Sequence, residues 1–173
     1  IFVLYTGYRY GWTPGIMGLT MMGTGILGVL VQFFLVGPVV ARVGERGALL
    51  IGTVSGAAGF AIYGLAPTGF WYLAGMPIFA LMGLLQPGLM GLMSRRVPPH
   101  EQGQLQGANQ SLQGVASILG PMIFGLTFAW SVRHEAALHM PGLAVMLASL
   151  IMVFAAILAT RAGRRPVEAQ AAA

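Results

Sequence analysis

The sequence predicts an all-α membrane protein, a bundle of helical spans. Three observations predict it. Of 173 residues, 57% are hydrophobic and 8% charged, against about 25% charged in an ordinary soluble domain. Residues 10–41 and 47–94 contain no Asp, Glu, Lys or Arg, and about 20 apolar residues are enough to cross a bilayer. The charges gather in short clusters between such runs, and Lys and Asp are absent. Runs of this length are helices, because lipid offers no partner to an unpaired backbone group.

The elements follow in order. "IFVLYTGYRYGW" (1–12) reads as the last part of a span begun upstream. Thr13-Pro14 opens the first full span, a capping residue followed by a proline suited to the first helical position. That span runs over 13–41, the second over 47–65, the third over 70–94, the fourth over 104–130 and the fifth over 143–160. "APTG" (66–69) is a tight turn, "RRVPPHEQG" (95–103) carries two prolines that stop a helix, and "SVRHEAALHMPG" (131–142) is a loop. Residues 1–160 form the bundle and 161–173 a polar tail.

Loops alternate sides. One side collects Arg42, Arg46, Arg95, Arg96, Arg161, Arg164 and Arg165, and the other only Arg9 and Arg133. The excess of arginine marks the cytoplasmic side, which places the tail inside the cell and the chain in the inner membrane as a multi-pass protein. The net charge of +5 does not point to nucleic acid, because the arginines sit at the ends of apolar runs and form no stripe. The chain has no cysteine, which excludes disulfides, thiol catalysis and Cys-ligated metal. No Ser-His-Asp set or metal-ligand spacing stands out. His100, His134 and His139 fall in loops and read as solvated. No ionisable side chain lies inside a span, and a proton site at membrane depth needs one.

Two stretches concentrate the remaining signal. "GPVVARVGER" (37–46) places Arg42, Glu45 and Arg46 in a loop of about five residues, with Gly37 allowing close approach and Gly44 suited to a turn of positive φ. By physics alone it is either a positive-inside anchor or a set of pairing charges. In 101–125, "EQGQLQGANQSLQGVASILGPMIFG", Gly107, Gly114, Ser117, Gly120 and Pro121 make a small-residue stripe for helix packing. Gln110 shares that face. Gly52 and Gly56 have a G-x-x-x-G spacing. Gln86-Pro87-Gly88 puts an amide beside a proline kink. Gln32, Gln86 and Gln110 are candidates for contact with a substrate, or for gluing helices together at about 1 kcal/mol each.

"GPVVARVGER" resembles the loop signature of the major facilitator superfamily, G-x-x-x-D-R-x-G-R-R. Gly37, Arg42, Gly44 and Arg46 match it, while Ala41 replaces the aspartate and Glu45 a basic residue. "QGQLQG" with "GP" following, and "GILGVLVQFFLVGPVVARVGER" with its Gln32, are similar to the eleventh and eighth helices of tetracycline/proton antiporters. Gly56 stands where those antiporters carry an aspartate, and Gly7 and Tyr8 where they carry acids. The resemblance implies the C-terminal six-helix half of a twelve-helix transporter, a stub of helix 7 plus five full helices. It implies proton-coupled efflux of a small-molecule drug, with no cofactor in this half and a divalent cation carried with a tetracycline-like substrate. The partners it implies are the bilayer and the N-terminal half. In that frame the loop residues Gly37, Arg42, Gly44 and Arg46 gate, and Gln32, Gln110 and Gln86 bind substrate. Transport of a metabolite by another member of the superfamily, and a small polytopic membrane enzyme or accessory subunit, are the alternatives.

Overall fold

The computed structural model describes residues 2–134 and 142–162. The expectations for 135–141, His139 among them, and for most of the tail lie outside those residues. The described chain is helical: α1 (Phe2–Tyr10), α2 (Pro14–Leu30), a π turn (Val31–Leu35), α3 (Val36–Leu65), α4 (Gly69–Ala80), a 3-10 turn (Leu81–Leu84), α5 (Leu85–Ser94), a second 3-10 turn (Pro99–Glu101), α6 (Gln102–Arg133) and α7 (Leu143–Ala162). Four stretches are long and apolar enough to cross a membrane: Pro14–Leu65, Gly69–Ser94, Pro99–Arg133 and Leu143–Arg161.

The first of these spans 52 residues, about 78 Å of straight helix at 1.5 Å per residue, far beyond a hydrocarbon core of about 30 Å. It breaks at Gly44, whose backbone (φ 71, ψ 173) is not helical. The arms on either side are antiparallel, as their shared neighbour shows. Trp12 lies at Gly69, Met76 at Gly23 and Gly83 at Val31, so the first arm runs alongside α4 and α5. Leu85 lies at Gly52, Phe79 at Gly59 and Ile62 at Gly75, so the second arm runs against them. The five-residue loop expected over 42–46 therefore shrinks to a turn at one glycine. A left-handed residue suffices to reverse the chain there, and only glycine adopts it at low cost.

The second arm of α3 is the spine of the bundle. Gly52, Gly56 and Gly59 form one stripe, and each presses on the α4–α5 segment, at Leu85, Met82 and Phe79 respectively. Gly88 returns the contact against the backbone of Leu49 and Glu45. On its other side α7 is held by the Ser149 hydroxyl, which donates to the Ala57 carbonyl at 2.8 Å, and by Met146 against Gly64. At the end of the spine the Arg9 Nε–H and the Tyr10 hydroxyl both donate to the Ala66 carbonyl, at 3.1 and 2.9 Å. These satisfy an acceptor that a helix end leaves unpaired.

Both irregular turns have a proline cause. A proline removes the hydrogen bond to the carbonyl four residues back and crowds that carbonyl. Pro38 acts on Phe34, inside the π turn, and Pro87 acts on Gly83, inside the first 3-10 turn. The two turns pack together through Val31, Ala80 and Leu84. The kink expected beside Gln86 is thus present, and it has a companion beside Gln32.

Orientation in the membrane can be tested directly, because the chain has no native cysteine. Thr68→Cys and His100→Cys both place a thiol at an exposed position. In intact cells Thr68→Cys should react with an impermeant maleimide and His100→Cys should react only after permeabilisation. The reverse pattern would invert the assignment.

Candidate functional site

The expected substrate residues share one level. Gln32, Gln86 and Gln110 lie eleven, eight and eight residues from the helix ends at Val43, Ser94 and Gln102. At 1.5 Å per residue this is about 12–17 Å from that end. All three are exposed, and none of the three side chains makes a hydrogen bond among the described residues. Gln32 sits in the π turn and Gln86 two residues after the 3-10 turn that packs on it. π turns of this kind recur at functional positions because they re-aim side chains and free a backbone carbonyl. Phe33 and Phe34, beside Gln32, are 78% and 67% exposed. An amide can donate and accept, so this tier can read a polyoxygenated molecule by hydrogen bonds, on a surface otherwise apolar.

The α6 stripe behaves unlike its counterpart on α3. A Cβ added at Gly107, Gly114 or Gly120 would meet nothing within 4 Å. Ser117 is exposed and bonds only within its own helix, to the Gly114 carbonyl, and Pro121 is exposed too. The packing expected of Gly107, Gly114, Ser117, Gly120 and Pro121 has no partner helix among the described residues, and the face they share with Gln110 lies open.

The charged knot ties three helices together at the same end. Glu45 forms an ion pair with Arg95, at the end of α5. The Glu45 side chain lies over Gly91, where an added Cβ would come within 2.5 Å of its Cγ. Arg46 donates through Nη2 to the Thr160 carbonyl in the last turn of α7, at 2.7 Å. A guanidinium suits that position, because a helix C-terminus leaves carbonyls unpaired and carries partial negative charge. Arg42 and Gly37 are exposed, and Gly44 makes the turn. Among the described residues no group of three His, Asp or Glu side chains gathers as a metal site would require.

A cavity that sequence reading missed lies toward the opposite end. It measures about 420 Å³ and is walled by α1, α2, α3, α4, α6 and α7, with Phe2, Tyr5, Phe60, Tyr63, Tyr72, Phe79 and Phe124 among its lining. Tyr63 and Tyr72 stack at 4.0 Å between ring centroids and 11° between planes. The Tyr5 hydroxyl donates to the Tyr63 carbonyl at 2.8 Å, and the Arg9 guanidinium sits 5.9 Å from the Tyr5 and Tyr10 rings. The signal for it was the clustering of aromatics near span ends, which an interfacial belt explains equally well. Gln32, Gln86 and Gln110 do not line it.

The family model of the Major Facilitator Superfamily matches residues 1–172. Among curated relatives, the chain is 30% identical to the tetracycline resistance protein, class B, of Escherichia coli over 132 residues, 76% of this chain and 33% of that protein. It is 34% identical to the class C protein of Escherichia coli over 131 residues, 76% of this chain and 33% of that protein. It is 26% identical to multidrug resistance protein 2 of Bacillus subtilis (strain 168) over 136 residues, 78% of this chain and 34% of that protein. The chain thus spans about a third of the length of the relatives it matches. No solved structure matches.

Proposed function

The chain belongs to the Major Facilitator Superfamily, and from that premise we propose that it is the C-terminal half of a twelve-helix, proton-coupled drug exporter of the inner membrane. The carrying observation is the amide tier: Gln32, Gln86 and Gln110 exposed at one depth, two of them at paired irregular turns. Transporters of such folds bind substrate between two halves near mid-membrane and rock one half against the other. The open α6 face, with Gln110 and its small residues, suits contact with an N-terminal half. The proton-titrating groups belong to that other half, as does any charge that reads a metal-chelated, tetracycline-like substrate. The names of the relatives support drug efflux. Gly56, Gly7 and Tyr8, where the antiporters it resembles carry acids, leave export of a different small molecule as the second reading. The test is expression of the complete gene in a drug-susceptible strain. Raised resistance to a tetracycline or another drug supports efflux, and unchanged resistance across the panel turns the assignment to a metabolite.

The charged knot gates in this reading. Glu45 and Arg46 bind the ends of α5 and α7 to the spine, and a rocking half must keep or break such ties in one state only. The Arg95 side chain is 71% exposed and that of Glu45 18%, so the pair adds no more than about 1 kcal/mol to stability. Its effect on a gate of similar size is about five-fold in turnover. Glu45→Ala should slow export by about that factor while drug binding stays as in wild type, and adding Arg46→Ala, which also removes the bond to the Thr160 carbonyl, should slow it further. Glu45→Arg with Arg95→Glu should restore much of what Glu45→Arg alone removes. Normal turnover in all of these variants would leave the knot an anchor only.

A further inference from the structure

The π turn leaves its own backbone short of donors. The Val36 N–H reaches back five residues to the Val31 carbonyl, one more than in an α-helix. Leu35 opens to φ −105, against about −63 in a regular helix. α3 is regular from Val36 on, so the Val40 N–H belongs to the Val36 carbonyl. The carbonyls of Gln32, Phe33, Phe34 and Leu35 are left to the N–H groups of Gly37 and Val39, because Pro38 has none. At one donor to each acceptor, two of these four carbonyls go without. Phe33 and Phe34 are the worst placed, since Pro38 stands five residues after one and four after the other. The turn also faces outward. Val31, Leu35, Val36 and Val39 pack with Ala80 and Leu84, whereas Gln32, Phe33, Phe34, Gly37 and Pro38 are exposed. Bare carbonyls are costly against lipid tails, so irregular backbone at membrane depth occurs where protein buries it or where it lines a water-filled cavity. The described bundle does not bury this turn.

We propose that Pro38 is a specificity-determining residue. By withholding its N–H it keeps the carbonyls of Phe33 and Phe34 open to a water-filled path, where they and the Gln32 amide accept from N–H and O–H groups of the transported molecule. The proposal rests on the reading of Gln32 as a substrate residue and adds the chemistry that this station reads. Residues 10–41 contain no Asp, Glu, Lys or Arg, so the station consists of acceptors and one amide. It favours a neutral or cationic molecule rich in donors, and it offers little to a carboxylate or a phosphate. Pro38 acts through the main chain and touches no ligand itself, so it is a positioning residue. A change of side chain at Gln32, Phe33 or Phe34 leaves the carbonyls in place, whereas an N–H at residue 38 closes them.

The test uses the full-length protein and two readouts. In the first, tetracycline binding is measured by equilibrium dialysis for wild type, for Pro38→Ala and for a variant with lactic acid placed at residue 38 by nonsense suppression. Alanine restores the N–H. The lactic acid residue has an ester oxygen there, so it lacks the donor as proline does and lacks the ring as alanine does. Pro38→Ala should bind about five-fold more weakly, and the ester variant should bind as wild type does. Wild-type affinity in Pro38→Ala overturns the proposal. So does an equal loss in both variants, which would trace the effect to the ring. In the second readout any native cysteines are replaced, and a charged methanethiosulfonate is added to permeabilised membranes. Phe33→Cys and Phe34→Cys should react, as the exposed His100→Cys does. Phe154→Cys, on the regular helix α7 and 62% exposed, should not. Silence of both turn cysteines while His100→Cys reacts overturns the proposal, because the turn would then be sealed by protein or lipid. This readout needs no ligand. It decides the proposal even if the full-length protein binds no tetracycline, a result that would count against the efflux reading alone.

Discussion

Gly52→Val should leave little folded protein. A Cβ at residue 52 falls on the Leu85 backbone nitrogen and lies 2.8 Å from Leu85 Cα and 3.0 Å from the Leu84 carbonyl carbon. These are main-chain atoms of a neighbouring helix, so no rotamer change relieves the contact. Gly88, facing the other way, would bring a Cβ within 2.5 Å of the Leu49 nitrogen and 2.7 Å of the Glu45 carbonyl oxygen. Overpacking a core with room to adjust costs about 1–3 kcal/mol. Here the spine and the α4–α5 helix must separate along their length, so the cost exceeds that range and approaches the total stability of a domain, about 5–15 kcal/mol. Gly52→Ala carries the same clashing Cβ without the further methyls, and should lower the unfolding temperature of the detergent-solubilised protein by about 10 °C or more. Gly107→Ala, whose Cβ meets nothing within 4 Å, should leave this chain's stability unchanged. Equal stability of the 52 and 107 variants would show that the spine contact is misplaced.

Gln32→Leu should reduce drug export several-fold. Gln32 lies in the π turn, exposed between the apolar faces of a membrane helix, and makes no hydrogen bond among the described residues. Its amide is thus available to a substrate. Losing one such hydrogen bond costs about 0.5–1.5 kcal/mol, which is about two- to twelve-fold in affinity. Leucine keeps about the same length and bulk, so the loss is chiefly of hydrogen bonding. Gln32→Asn retains the amide one methylene shorter and should recover part of the activity. The comparison is made at equal membrane abundance over several drugs. Normal export of all of them by Gln32→Leu would reduce the amide to packing and remove it from the site.

The helices were legible because a bilayer permits so few solutions to an uncharged run of 30 residues. Gly52 and Gly56 were visible only as a G-x-x-x-G spacing, a pattern common in apolar sequence; the structure sets them, with Gly59, against α4–α5. The α6 stripe shows the limit of the same signal. Gly107 and Gly114 repeat the pattern, yet they face no described helix, because a small-residue face says that something approaches and not what. Pro87 announced a kink beside Gln86, whereas the π turn before Pro38 was not foreseen; whether a helix widens into a π turn or tightens into a 3-10 turn depends on the neighbour, here Val31 against Leu84. Arg46 was singled out by motif, but its partner, Thr160, lies 114 residues away in sequence. The aromatic cavity was beyond reach, since Phe60, Phe79 and Phe124 meet only once three helices are placed around α1.

The central claim, that this chain supplies one half of a proton-driven drug exporter, is tested most directly by flux. The full-length protein is reconstituted into liposomes beside the 173-residue chain at equal density, and uptake of a fluorescent tetracycline is followed on imposing a pH gradient. The account predicts uptake by the full-length protein that collapses with an uncoupler, and none by the chain alone. Flux through the chain alone, or a full-length protein that moves no drug under a gradient that drives a known tetracycline exporter, would contradict it.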